Sequence, residues 1–180
     1  MPPSCWCNAR LTGTNVLRAV FSHVTSVKRD NYCRKEVILL YDVLTISDYI
    51  IRRCSNEGYT VSNLKLQKLL YFVQAEFLVV TGKPCFREKI VAWDFGPVIP
   101  EVYHEFCIFG SAHIPVGVAS APGLSKETAE LIDGIVFTCL PFSSSQLVEI
   151  TQHQNPWICA YAKGYGTEIT NESILNFFAE

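Results

Sequence analysis

The chain has 180 residues, 49% hydrophobic and 18% charged, a balance that fits a globular domain and excludes a disordered chain. Residues 1–43 hold six basic side chains against three acidic ones, and the remainder nine against fourteen, an acidic body that suits protein surfaces better than the phosphate backbone of nucleic acid. No apolar run approaches the roughly 18 residues that span a bilayer, and no secretory leader is visible, so the expected location is the cytoplasm.

Residues 1–43 show no clear period beyond a weak stripe of Val16, Val20 and Val24, and they read as an N-terminal extension of unassigned role. Met1 is the single methionine. One expectation is therefore that native translation begins at a valine or leucine codon such as that of Val43 or Leu44. The intact mass of the native protein tests it.

From Leu44 to the C-terminus the helical signals become regular, and residues 44–180 read as one domain. Thr45 or Ser47 is placed to cap a helix to about Glu57, with Ile46, Tyr49, Ile50 and Cys54 on one face and Gly58 beyond its end. Ser62 or Asn63 caps a second helix. There Leu66, Leu69, Leu70, Val73 and Phe77 make one stripe and Leu64, Tyr71 and Leu78 another, so this helix is expected at the centre of the fold. Residues 86–93 alternate imperfectly and read as a short strand or extended arm. Gly96-Pro97 is expected to break the chain, and Pro100 to open a helix through Phe109.

Residues 111–124 read as a loop, and this loop with the neighbouring helix face is the expected place for partner contact. Ser125 opens a helix to about Leu140, with Ile132, Ile135, Val136 and Cys139 inward. Ser143 to Ser145 cap the next, through Gln152. Asn155-Pro156 supplies a cap and first-turn proline for a short one. Thr170 caps the last, stapled by Ile169 and Ile174. The fold class is mainly α: a compact multi-helix domain with at most a short strand or hairpin near residues 86–93.

Catalytic chemistry finds little footing. The eight cysteines are irregularly spaced; Cys54, Cys107, Cys139 and Cys159 fall in helical patterns as small apolar fillers, and Cys5-Trp6-Cys7 lacks a second ligand pair. His104 with Cys107, His153 with Cys159, and Glu101 with Glu105 are incomplete as metal, nucleophile or acid–base sets. The chain therefore reads as a binding protein rather than an enzyme, with no catalytic residue, cofactor or metal. A hydrolase using Cys159 or Cys85, and a DNA-binding regulator using Lys65 and Lys68 on phosphates, are kept as alternatives. Trp93 and Trp157, each beside a Gly or Pro break, are expected to pack over the turns, with an exposed partner anchor as the lesser reading.

Three stretches, in this order and spacing, resemble the Panacea domain of SocA-like antitoxins, including phage-associated members. The first is the helix Asn63 to Phe72, through Leu64, Leu66, Gln67, Lys68, Leu69, Leu70, Tyr71 and Phe72. The second runs from Trp93 through Gly96, Pro97 and Val98 to Tyr103. The third comprises Thr151, His153, Pro156 and Trp157. One departure is that Gln152 follows Thr151 where the family commonly has His; a displacement by one residue turns the imidazole of His153 about 100° around a helix. The resemblance covers residues 44–180 and implies an antitoxin of a bacterial or phage toxin–antitoxin system, neutralising a cognate toxin by direct binding. It also implies, as an alternative, an adaptor that delivers the toxin to a Clp-type protease. The residues that carry it are then structural or partner-binding.

Overall fold

The computed structural model of the chain describes residues 40–117 and 123–179. The expectations for residues 1–39, and for 118–122 of the long loop, lie outside the described residues. Seven α-helices are described: α1 (Val43–Asn56), α2 (Asn63–Thr81), α3 (Pro100–Phe106), α4 (Lys126–Cys139), α5 (Ser144–Gln152), α6 (Asn155–Tyr161) and α7 (Asn171–Ala179). Between α2 and α3 lies a hairpin of β1 (Val91–Trp93) and β2 (Gly96–Val98). The fold is mainly α, as its sequence periodicity suggests.

Helix α2 organises the rest. The Ser62 hydroxyl accepts from the Lys65 amide at its start, and Gly82 closes its end in the left-handed conformation, φ 71°. Apolar residues lie around most of its circumference, so it satisfies its surroundings only by being enclosed. It packs against α1, α3, α4, α5, α7 and β2. Leu66, Leu69, Leu70, Tyr71, Phe72, Val73 and Phe77 are fully buried. Burial of each such leucine or phenylalanine is worth about 1.5–3 kcal/mol. Tyr71, Phe72 and Phe178 of α7 meet edge to face.

Local capping signals held where the cap is purely local. Ser125 caps α4, Ser143 and Gln146 form a capping box on α5, and the Thr170 hydroxyl accepts from the Ser173 amide. Two assignments require correction. Helix α1 begins at Val43, capped by Asp42, whose carboxylate accepts from the Leu44 amide at 2.8 Å; Ser47 is buried and bonds back to the Val43 carbonyl. Gln154, not Asn155, occupies the cap position of α6 and makes no side-chain capping bond. Its amide oxygen instead accepts from the Tyr71 hydroxyl.

The folded body includes residues just upstream of α1. The Tyr41 amide donates to the Cys85 carbonyl at 3.0 Å, and its hydroxyl accepts from the Ser125 amide. Gly96-Pro97 does not break the chain: both residues are β2, in register with Trp93 and Ala92. Residues 166–169 lie along the other edge of β1, through Gly166 amide to Ala92 carbonyl, Ala92 amide to Thr167 carbonyl and Ile169 amide to Ile90 carbonyl. Cys54 and Cys139 are core fillers as expected, whereas Cys107 and Cys159 are exposed. No single described helix is long and apolar enough to cross a membrane.

Candidate partner-binding face

The three sequence stretches meet beneath the hairpin. Lys68 of α2 is fully buried, and its ammonium donates to the Pro97 carbonyl at 2.8 Å. Thr151 of α5, also fully buried, bonds back to the Leu147 and Val148 carbonyls. Gly96 fills the space between them, with φ 94°; a Cβ there would stand 2.7 Å from Thr151 Oγ1 and 3.0 Å from Lys68 Nζ. Glycine is needed for both reasons, its positive φ and the close approach. Enclosure away from water pushes the Lys68 ammonium down to about 7, because burial disfavours the charged form.

Other polar residues of α2 brace the loops in the same way. Gln67 Oε1 accepts from the Ile99 amide at 2.8 Å, while Asn63 Nδ2 donates to the Tyr103 carbonyl. Gln74 Oε1 accepts from the Cys85 and Phe86 amides, and its Nε2 donates to Phe86 O and Asn171 Oδ1. Lys65 Nζ donates to the Leu140 and Phe142 carbonyls. Lys65 and Lys68 therefore cannot serve as the phosphate contacts considered above: both ammonium groups are spent on loop carbonyls inside the protein.

Above this junction lies a surface of aromatic rings. Trp93 stacks on Tyr165 at 5.8 Å and meets the edge of Tyr103 at 4.9 Å. Trp157 stacks on Tyr161 at 4.7 Å, and its indole N–H donates to the Trp93 carbonyl at 3.0 Å. The hairpin turn is bound to both sides of this cluster. Asp94 Oδ1 accepts from the Tyr161 hydroxyl at 2.7 Å, and the Asp94 carbonyl from Gln152 Nε2 at 2.6 Å. Phe95 stands at the tip, 67% exposed, and Tyr165 is 64% exposed. Tyr103 and Tyr161 are exposed over more than a third of their surface.

The residues carrying the sequence resemblance divide into two groups. Leu66, Gln67, Lys68, Leu69, Leu70, Tyr71, Phe72, Gly96, Pro97, Val98, Thr151 and Pro156 are buried, and Leu64 is half-buried. Trp93 and Trp157 are half-buried and pack across the hairpin, while Tyr103 and His153 are exposed. His153 Nδ1 lies 2.7 Å from the Glu149 carbonyl. The displacement of this histidine puts Gln152 in position to hold Asp94. Sequence reasoning missed Asp94, Phe95, Tyr161 and Tyr165. The one available signal was an aromatic pair, Tyr161 at the end of α6 and Tyr165 between two glycines beyond it.

His104 and Cys107 are both exposed, and among the described residues no three His, Cys, Asp or Glu side chains converge as a metal site. Lys68 is sealed from solvent, with its ammonium capped by the Pro97 carbonyl. The arrangement is suited to holding a hairpin rigid and displaying rings.

The family model for "Antitoxin SocA-like, Panacea domain" matches residues 66–158. Antitoxin SocA of Caulobacter vibrioides (strain NA1000 / CB15N) is 31% identical over 140 residues, covering 71% of this chain and 74% of that protein. No solved structure matches. The matched stretch spans all three converging segments, and the chain therefore belongs to the SocA-like antitoxin family that carries the Panacea domain.

Proposed function

We propose that the chain is an antitoxin that neutralises a cognate toxin by direct contact, and that the rings around the hairpin are the contact surface. Family membership supports the antitoxin role. The surface assignment rests on one observation: Phe95 stands largely in water on a turn fixed from beneath by Lys68, Gly96 and Thr151 and from the side by Trp157, Tyr161 and Gln152, and Tyr165, also largely in water, stacks on Trp93 of the same hairpin. Rigid tyrosine, tryptophan and phenylalanine side chains offer large contact areas at small entropic cost, and tyrosine and tryptophan dominate binding energy at protein interfaces. A stable complex needs roughly 800 Å² per partner.

Expression of the neighbouring gene's product tests the role. It should arrest growth alone, be harmless beside this chain, and co-purify with it. A harmless neighbour would contradict the antitoxin reading. An adaptor would instead lower the partner's level, and only in cells that hold the protease.

A further inference from the structure

The ring face has a carboxylate at its centre. Asp94 is exposed at the hairpin turn between Trp93 and Phe95, with Tyr161 on its Oδ1 and the Trp157–Tyr161 stack beside it. Across the turn, Trp93 and Tyr165 form a second stack, their planes within 15°. An exposed carboxylate bonded to one aromatic stack and adjacent in sequence to a second makes a recognition element for a planar cation. A guanidinium can lie on a ring face, drawn by the ring quadrupole, while its N–H groups donate to the carboxylate.

The charge of the surrounding surface points the same way. Of the nine basic residues in 44–180, Lys65 and Lys68 are buried, which leaves a surface dominated by carboxylates. Near the face, Glu149 is exposed one turn before Gln152 and His153. Glu168 bridges to Val91, on the strand that carries Trp93, and pairs with Lys89 at 2.9 Å. Lys163 is the single lysine or arginine in segments 91–105 and 149–168.

We infer that this face takes an arginine side chain presented by the partner, seated against Asp94 between the two ring stacks. The inference rests on the antitoxin reading for the identity of the partner as a toxin, but its chemistry can be tested apart from it. The full chain is used in a Trp6→Phe background, so that Trp93 and Trp157 are the remaining indoles. Their fluorescence is titrated with a short alanine–arginine peptide and with the same peptide carrying citrulline, which keeps the shape of arginine and removes its charge.

Saturable quenching by the arginine peptide is expected, about tenfold weaker for the citrulline peptide and weaker by a similar factor for Asp94→Asn and for Tyr165→Ala, which removes a ring of the second stack. Tyr165→Ala keeps the net charge, so its loss separates ring contact from general attraction to an acidic protein. Equal affinity for the two peptides, no quenching, or undiminished binding by both variants would overturn the inference. So would a dimer in sedimentation that Tyr165→Ala dissociates, since a second copy would then own the face. Growth rescue decides the antitoxin reading separately, and a failed rescue beside positive titrations would leave the arginine site standing.

Discussion

Lys68 is a cation that the fold keeps against its own electrostatic interest. Its folded pKa of about 7 lies below the ordinary 10.5, so the unfolded chain binds the extra proton between these values. Stability then rises with pH through that window, by up to about 1.4 kcal/mol per pH unit where the unfolded lysine is charged and the folded one neutral. Lys65, lowered by desolvation as well, adds in the same sense. The buried thiols act oppositely. Desolvation raises Cys54 to about 11 and Cys139 to about 12, so their contribution is present below pH 9 and is lost as pH rises toward those values. Urea unfolding at pH 7, 8 and 9 should show rising stability. Lys68→Met should flatten the rise, and a steep rise that survives in the variant would contradict the assignment.

At the same junction, Gly96→Ala adds both φ strain and a clash with Thr151 Oγ1. We expect a loss of about 2–4 kcal/mol. Thr151→Ala in the same chain should recover about 1 kcal/mol of it beyond additivity, and strict additivity in thermal or urea unfolding would show that the two positions do not touch. None of this was visible in the sequence. Lysine in a helix pattern reads as solvated, because pattern records polarity and not the carbonyl that a distant loop brings to it.

Among the elements, α2 was the most legible: apolar residues on two stripes fix a helix and demand enclosure. Its polar residues were the blind spot, since Gln67, Lys68 and Gln74 serve as staples for loops 11 to 32 residues away. Gln74→Leu, nearly isosteric, strips the Cys85 and Phe86 amides and the Phe86 carbonyl of their partner. A loss of about 2–4 kcal/mol is expected, with faster hydrogen exchange at those amides; unchanged protection there would refute the staple. Ser143→Ala, which removes one half of the α5 capping box, should cost about 1 kcal/mol in the same unfolding measurement. The serine caps could be read because donor and acceptor are three residues apart. Asp42 and the second strand of the hairpin could not, because the first lies in an aperiodic stretch and the second falls on Gly96-Pro97, a pair that reads as a break.

For the molecule as a whole, sequence periodicity revealed the helical class, and the likeness to the family survived comparison with a known antitoxin. The proposed contact surface stayed hidden. Most of the residues that carry the resemblance are buried supports, whereas Phe95 and Tyr165, which face solvent, lie in a turn and an irregular stretch where no repeating template applies, and Tyr161 ends a helix too short to show a period. Interface energy concentrated in a few rings should make the Phe95→Ala, Tyr165→Ala pair costly to binding and harmless to folding. The decisive measurement is calorimetric titration of the neighbouring gene's toxin into the wild-type chain and into that double variant. Affinity about thirtyfold weaker, with an unchanged melting temperature, is the result expected of a contact surface braced from beneath; equal affinity in the two proteins would place the toxin elsewhere.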